Sequence, residues 1–188
     1  MSQPLPAPRP TKLLAADAAG IAEAAALLQA GGLVALPTET VYGLAADATS
    51  GAAVAGIYAA KERPSFNPLI SHLPDLASAR RQGLFDANAL ALALAFWPGP
   101  LTLVVPAAPG CTVSELARAG LPSVALRVPA HPVAHAVLEA AGRPIAAPSA
   151  NRSGRISATS AAHALADLDA RIDAVLDAGP TEVGLEST

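Results

Sequence analysis

The stretch LVALPTETVYGL, residues 33–44, contains the change from buried strand to polar loop that decides how this chain folds. Its first four residues are apolar and stop at Pro37, which predicts a short buried strand over residues 33–36. Hydroxyl, carboxylate and phenol side chains follow directly, from Thr38 to Tyr42. In α/β proteins the loop after a strand is a common place for a ligand pocket. A capped turn, in which these polar groups bind backbone amides, accounts for the same residues about equally well.

The same alternation of apolar segments and polar loops continues on both sides of this stretch. Asp17 is placed to cap a helix with helically spaced apolar residues, which ends at a pair of glycines. Further helices are predicted over 50–62, 86–97, 132–141 and 159–172, and further strands over 69–73, 101–105, 124–128, 145–147 and 174–176. About six short strands interleaved with five or six helices indicate an α/β protein. We therefore expect one domain over residues 13–188, preceded by a flexible, proline-rich tail over residues 1–12.

The composition limits the classes of function that this chain can serve. Its 188 residues include 12 Lys and Arg against 15 Asp and Glu, a formal charge of −3, which argues against bulk positive charge as the means of holding nucleic acid. Hydrophobic residues make up 52% and charged residues 14%, which excludes a chain that is disordered throughout. The one Trp, two Tyr and three Phe leave little for a platform of stacked bases.

Targeting signals and redox chemistry both favour a cytoplasmic protein. The first ten residues, MSQPLPAPRP, lack the apolar core of a signal peptide. The longest apolar run, residues 89–97, is far shorter than the roughly 18 residues that a membrane span needs. The single cysteine, Cys111, cannot form an internal disulfide, and it lies in a Pro-Gly loop without a nearby histidine. We expect a cytoplasmic protein without a membrane partner, in which Cys111 is not a catalytic nucleophile.

A second polar stretch, KERPSFNPL at residues 61–69, begins at the end of a predicted helix. It brings Lys61 and Arg63 within two residues of each other in a chain that has few cations. Such a pair suits a triphosphate, because Arg offers a planar fork and Lys a point charge. Favourable placement at a helix C-terminus is the simpler explanation for Lys61. It is weaker for Arg63, which the following proline removes from the helix.

A third polar stretch, APSANRSG at residues 147–154, follows another predicted strand. Ser149 and Asn151 are two residues apart, so in an extended segment their side chains point the same way and offer a hydroxyl and an amide to one ligand. An ordinary polar turn explains them as well. Neither this stretch nor the second one has the glycine spacing of a P-loop or of a dinucleotide-binding turn.

The histidines are weaker candidates. His131 and His135 have the i, i+4 spacing of a metal pair, but they lack the glutamate and any cysteine of a zinc site, so we expect cap and surface roles. His72 lies at the end of a predicted strand among the candidate loops, where a ligand contact is plausible. We predict no metal site built from protein side chains.

Taken together, six strings in this order resemble the YrdC-like family of threonylcarbamoyl-AMP synthases: PTETVYGL, KERPSFNPL, SHL, FWPGPLTLV, VALRVP and PSANRSG. The resemblance runs from about residue 33 to the last residue. It implies a single domain with a twisted, open, mixed sheet, flanking helices and a large concave cavity. It also implies a nucleotidyltransferase that joins L-threonine, bicarbonate and ATP into L-threonylcarbamoyladenylate and pyrophosphate, for modification of tRNA next to the anticodon.

The resemblance assigns roles to particular residues. Positions that match the nucleotide site are Lys61, Arg63, Asn67, Ser123, Ser149, Asn151 and Ser157. Positions that match the threonine site are Thr40, His72, Arg127 and the backbone of Ala147. Catalysis is then expected from positioning and from charge neutralisation by Lys61, Arg63 and a Mg²⁺ ion carried by ATP. Arg127 suits the carboxylate of threonine, because a guanidinium can pair with it through two hydrogen bonds.

The resemblance also implies partners and one departure from the family pattern. Downstream threonylcarbamoyl-transferase proteins are expected to pass the product to tRNA, and a weak contact with RNA is a further expectation. The ending, residues 184–188, resembles the middle of a family motif, so we expect the catalytic domain to be cut short there. Two other readings stay open: a carbamoyl-adenylating domain of the hydrogenase-maturation type, and an RNA-binding module of the same fold.

Overall fold

The structure, a computed structural model, describes residues 10–188. Within them the strands are β1 (Lys12–Ala15), β2 (Val34–Leu36), β3 (Gly43–Asp47), β4 (Ile70–His72), β5 (Leu103–Pro106), β6 (Ser123–Arg127), β7 (Ile145–Ala146) and β8 (Ala174–Asp177). The helices are α1 (Ala18–Gln29), α2 (Gly51–Lys61), α3 (Leu76–Gln82), α4 (Ala87–Phe96), α5 (Pro132–Ala141) and α6 (Ala161–Leu168). The predicted tail falls mainly on residues 1–9, which lie outside the described residues, whereas Lys12 already belongs to β1.

Side-chain caps fix where the helices begin. Asp17, Ser50 and Asp86 each accept a hydrogen bond from the backbone amide three residues ahead, which satisfies a donor that the first turn leaves unpaired. The helix predicted over 132–141 is α5 with the same bounds. The helix predicted over 159–172 is shorter, since α6 covers only Ala161–Leu168. No helix within residues 10–188 is long and apolar enough to cross a bilayer.

Three elements were not predicted. β3 has the sequence GLAAD and is buried along its whole length, but it contains none of the β-branched or aromatic residues that mark a strand. α3 has the sequence LASARRQ, which is too short and too polar for helical periodicity to show. β1 follows the proline-rich segment and pairs with β8 at one edge of the sheet. All three depend on tertiary packing more than on local propensity.

The strands form one open, mixed sheet in the order β1-β8-β2-β3-β7-β4-β6-β5, which confirms the predicted fold class. β7 lies between β3 and β4 and runs antiparallel to both. The start of β3, the end of β7 and the start of β4 therefore meet at the same edge. Since β6 is parallel to β4, its first residue, Ser123, lies at this edge as well.

Helices cover both faces of the sheet. On one face α1 and α5 pack against a cluster that includes Val34 and Leu36 of β2. On the other face, Ala35 of β2 belongs to a cluster that includes residues of α2 and α6. This alternation is the two-residue period of a strand that is buried on both sides. Because both faces are covered, most polar side chains near the sheet centre lie in the loops at the strand ends.

Candidate active site

A cavity of about 150 Å³ lies beside these strand ends. The loop after β2, the segment leading into β4, the loop after β7 and residues 186–187 provide parts of its wall. Six residues singled out from the sequence line it: Thr40, Arg63, His72, Arg127, Ala147 and Ser149. The sheet order thus brings parts of the predicted threonine site and of the predicted nucleotide site into one cavity.

Arg127 is the most extensively bound cation of the cavity wall. Its side chain is buried, and its Nη2 donates to Glu39 Oε1 at 2.6 Å and to Thr40 Oγ1 at 3.1 Å. Its Nε donates to the carbonyl of Gly99 at 3.1 Å. The second carboxylate oxygen of Glu39 accepts from Ala130 N at 3.2 Å. The guanidinium is therefore held on two sides, and its Nη1 is the nitrogen without a partner among the described residues.

Two threonine hydroxyls form a pair next to Arg127. Thr38 Oγ1 and Thr40 Oγ1 are 2.9 Å apart, and Thr38 Oγ1 donates to the carbonyl of Val41 at 2.6 Å. The backbone amides of Thr40 and Val41 point to Thr38 Oγ1 at 3.2 Å. This is the capped turn that the sequence left as an alternative, and it also faces the cavity. The capped turn is present, and both Thr38 and Thr40 line the cavity.

His72 presents a neutral imidazole to the cavity. Burial, together with the positive charge of Arg127, lowers the pKa of His72 to about 3. Its Nδ1 is buried and has no hydrogen-bond partner among the described residues. At neutral pH the ring therefore carries no charge. Ala147 lines the same wall, and its amide donates to the carbonyl of Ile70 at 3.0 Å.

Lys61 is placed differently from what the sequence suggested. It is not among the residues that line the cavity, and only 1% of it is exposed. Its Nζ donates to the backbone carbonyls of Ser149 and Asn151. Burial, and secondly the charge of Arg63, lower the pKa of Lys61 to about 8. Lys61 thus joins the second and third polar stretches through two backbone carbonyls.

Arg63 faces the cavity, as its exit from the helix predicts. α2 ends at Lys61, and its C-cap Glu62 has a left-handed backbone with a φ of 54°, after which the chain leaves the helix. The Nε of Arg63 is buried without a partner among the described residues. Ser149 lines the cavity beside it. The side-chain amide of Asn151 instead donates to the carbonyls of Arg152 and Arg155, at 3.0 and 2.7 Å, and braces the loop.

Three further predicted nucleotide contacts lie outside the lining of this cavity. Asn67 accepts a hydrogen bond from the hydroxyl of Tyr58 through its backbone carbonyl, at 2.9 Å. Ser123 begins β6, two residues before the Ala125 that pairs with Ile70. Ser157 donates its hydroxyl hydrogen to a carboxylate oxygen of Glu186. None of these three residues is in the lining of the cavity.

Several wall and support residues escaped the sequence reasoning. Glu186 and Ser187 line the cavity, and residues 183 and 184 donate backbone hydrogen bonds to the carbonyls of Glu39 and Thr40. The resemblance of residues 184–188 to a family motif was the available signal. Glu39 was noted only as part of a polar stretch, since its partner Arg127 is 88 residues away. Long-range pairing of this kind leaves no mark in local sequence.

Metal-binding candidates are few. Among residues 10–188 no three His, Cys, Asp or Glu side chains are grouped to hold a metal ion. His131 Nδ1 accepts a hydrogen bond from Val133 N at 3.2 Å, so His131 serves as the cap of α5. His135 Nδ1 lies 3.6 Å from Glu139 Oε1 on the surface of the same helix. Both positions agree with the cap and surface roles expected from the sequence.

The fold and the site define an α/β protein with a cavity lined by two arginines together with hydroxyl and imidazole side chains. A family model for Sua5, YciO and YrdC proteins, described as "Telomere recombination", matches residues 26–188. The chain belongs to this family. The resemblance read from its motifs is thereby confirmed.

Three comparisons with individual proteins agree. The chain is 50% identical over 169 residues to a threonylcarbamoyl-AMP synthase of Bacillus subtilis, which covers 89% of this chain and 49% of the relative. It is 42% identical over 163 residues to one from Alkalilimnicola ehrlichii, covering 87% of this chain and 84% of the relative. A solved structure of Pyrococcus abyssi Sua5 complexed with L-threonine superposes with a TM-score of 0.91 and 43% identity, covering 95% of this chain and 53% of that protein. The chain thus spans about half the length of the Bacillus and Pyrococcus proteins.

Proposed function

We propose that this chain acts as an L-threonylcarbamoyladenylate synthase, a nucleotidyltransferase that makes threonylcarbamoyl-AMP and pyrophosphate from L-threonine, bicarbonate and ATP. The observation that carries the proposal is that Arg127, Thr40 and His72 share one cavity with Arg63 and Ser149. An amino-acid site and a phosphate site that adjoin in this way suit the joining of an amino acid to a nucleotide. Relatives that are 42–50% identical bear the name of this enzyme.

The end of the cavity near Arg127 suits the amino acid. Nη1 of Arg127 offers two N–H groups to a carboxylate, and the hydroxyl of Thr40 lies 3.1 Å from Nη2 of the same guanidinium. The neutral ring of His72 offers a polar atom to the hydroxyl of threonine. A site that bonds a substrate hydroxyl rejects analogues that lack it, because its own polar groups are then left unpaired.

The end of the cavity near Arg63 suits the triphosphate. The guanidinium of Arg63 is a planar donor that fits phosphate oxygens, and the hydroxyl of Ser149 adds a neutral donor. Lys61 contributes by fixing the backbone at residues 149 and 151. We therefore assign Lys61 a positioning role in this reaction, and we keep Arg63 as the group that neutralises charge in the transition state.

Magnesium enters this proposal as part of the MgATP substrate. It prefers oxygen ligands and keeps several waters, so the phosphate oxygens supply most of its coordination. Among the described residues, Glu186 provides one carboxylate at the cavity wall that suits such an ion. When bound, the ion spreads the negative charge of the departing pyrophosphate. The protein residues bind and orient both substrates and exclude water from the space between them.

The covalent steps need little help from side chains. The amine of threonine reacts with bicarbonate to give a carbamate and water. A carbamate oxygen then attacks the α-phosphorus of ATP, and the bond to the β-phosphate oxygen breaks to release pyrophosphate. Two reactants held in one cavity gain effective concentration over the same reactants in solution. This fits a site in which positioning groups outnumber groups that transfer protons.

The direct test is product formation by the 188-residue chain. Threonine, bicarbonate and MgATP together are expected to give threonylcarbamoyl-AMP by mass spectrometry, and omission of any one of them should abolish it. Formation of a carbamoyl adenylate from carbamoyl phosphate and ATP would instead support the hydrogenase-maturation type of activity. If neither product forms and tRNA binding falls steeply with salt, the RNA-binding alternative is favoured.

The wider setting follows from this activity. The mixed anhydride between the carbamate and AMP is reactive, so we propose that it passes to threonylcarbamoyl-transferase proteins, which attach the group to an adenosine next to the tRNA anticodon. A weak contact of the chain itself with tRNA belongs to the same proposal. We place the protein in the cytoplasm, where tRNA, ATP and threonine are all available.

A further inference from the structure

We infer that Glu39 sets the charge specificity of the amino-acid site, so that the site accepts a zwitterionic amino acid and rejects a simple carboxylate anion. This inference rests on the proposed function and concerns a residue that does not line the cavity. Glu39 acts through Arg127, which makes it a positioning residue. Four contacts around these two side chains carry the argument.

Most nitrogens of the Arg127 guanidinium already have hydrogen-bond partners. A guanidinium pairs with a carboxylate through two nitrogens along one edge, and both such edges include Nη2. In this structure the two N–H groups of Nη2 go to Glu39 and Thr40, and Nε–H goes to Gly99. Neither edge is open for a fork-like pair. A substrate carboxylate therefore meets the two N–H groups of Nη1 alone.

The carboxylate of Glu39 compensates the charge of Arg127. Glu39 and Arg127 are 8% and 3% exposed, and the carboxylate is 2.6 Å from Nη2, so together they form a buried pair with no net charge. A buried arginine without such a partner attracts any carboxylate, because an uncompensated charge in a dry site is costly. Next to the neutral pair, a lone carboxylate gains much less binding free energy than it does next to an unpaired arginine. A zwitterionic amino acid, which carries no net charge, loses less than a lone carboxylate when the arginine charge is compensated.

Two further hydrogen bonds hold Glu39 in this position. Its second oxygen accepts from Ala130 N at 3.2 Å, and its backbone carbonyl accepts from Val183 N at 3.0 Å. The side chain and the backbone are thus tied to two separate segments. Arg63 and Glu186 are the other charged side chains of the cavity wall, and neither of them is bonded to Arg127. Among the described residues, Glu39 is therefore the carboxylate that pairs with the charge of Arg127.

The test compares L-threonine with its deaminated analogue, 3-hydroxybutanoate of the same configuration at the hydroxyl carbon, by calorimetric titration. Glu39→Gln should bind 3-hydroxybutanoate at least about tenfold more tightly than the wild-type chain does, because a net positive charge then faces the ligand. In Glu39→Gln the ratio of the affinity for threonine to the affinity for the analogue should fall by the same factor. A gain of affinity is a result that mere structural damage does not produce. Glu115→Gln, on the exposed surface, is the matched control and should change nothing.

A second variant separates charge from shape. Glu39→Asp keeps the negative charge but is one methylene shorter, so it should retain most of the discrimination against 3-hydroxybutanoate. If Glu39→Gln does not fold in a thermal melt, Glu39→Asp still decides the matter, since loss of discrimination there would overturn the inference. An unchanged affinity of folded Glu39→Gln for the analogue would overturn it as well. Failure of the wild-type chain to bind threonine would count against the proposed function instead.

Discussion

At the scale of single residues, the two cations of the KER stretch have separate roles. Lys61 is buried and binds two backbone carbonyls, whereas Arg63 reaches the cavity with its Nε unpartnered among the described residues. The sequence places them two residues apart and predicts the same role for both. Only the turn at Glu62, which ends α2 in a left-handed conformation, separates their directions. Two cations that are close together in sequence therefore need not point to the same cavity.

The first prediction concerns Arg63. Arg63→Lys keeps the positive charge but loses the planar fork, so binding of a non-hydrolysable ATP analogue should weaken by about ten- to a hundredfold, as expected for a lost charge-assisted contact worth about 1.5–3 kcal/mol. The melting temperature should hardly change. Calorimetric titration with the analogue measures this effect in the absence of turnover. Arg80→Lys, on the exposed side of α3, is the control. Unchanged affinity in Arg63→Lys would remove Arg63 from the phosphate site.

The second prediction concerns Lys61 and pH. Its pKa is about 8 in the folded chain against an ordinary 10.5, so between these values the unfolded chain binds the proton and the folded chain does not. Stability should then rise with pH, by about 1 kcal/mol per pH unit between pH 8 and 10. Below pH 8 both states are protonated, and this contribution to the pH dependence disappears. Lys61→Met should lack the rise.

Urea unfolding at pH 7, 8, 9 and 10 measures the difference between the wild-type chain and Lys61→Met. Lys12→Met is the matched control, because Lys12 is an exposed lysine paired with Glu23. The control should follow the wild-type chain at every pH. A constant difference between wild type and Lys61→Met over this range would show that Lys61 ionises normally in the folded chain.

At the scale of helices and strands, the sequence predicted an element when the residues that determine it are close together in the chain. The helices that begin at Asp17, Ser50 and Asp86 were predicted because each cap and its helix are contiguous in sequence. β3 was not predicted, because GLAAD becomes a strand through its neighbours β2 and β7. The polar loops of the site were predicted because each loop, like each cap and its helix, is one contiguous stretch of sequence. Their mutual contacts were not, since the pairing of Glu39 with Arg127 requires the sheet order.

The third prediction tests the contact between β1 and α1. A Cβ at Gly20 would lie 1.9 Å from the carbonyl oxygen of Ala15, which is backbone and cannot move aside. Gly20→Ala should therefore destabilise the chain by about 1–3 kcal/mol. Gly56→Ala in α2 meets only the side chain of Leu33 at 3.4 Å, so the better helix propensity of alanine should stabilise it by up to about 1 kcal/mol. Chemical unfolding measures both, and equal effects would show that β1 does not pack against α1 in this way.

At the scale of the whole molecule, the antiparallel position of β7 between β3 and β4 explains the site. It brings three loops from distant parts of the chain to one edge of the sheet. Hydrogen bonds from residues 183 and 184 to the loop after β2 add the C-terminal segment to the same place. The chain is acidic overall, yet its cavity wall holds two arginines. Net charge therefore describes the surface of this protein better than it describes its site.

Calorimetric binding of L-threonine and L-valine to the wild-type chain and to Arg127→Met tests the amino-acid site directly. The wild-type chain should bind threonine, and valine, which lacks the hydroxyl, should bind at least about tenfold more weakly. Arg127→Met, which loses the cation of the site, should bind neither amino acid measurably. Equal affinity of the wild-type chain for threonine and valine, or threonine binding that survives in folded Arg127→Met, would show that the cavity is not the threonine site proposed for this chain.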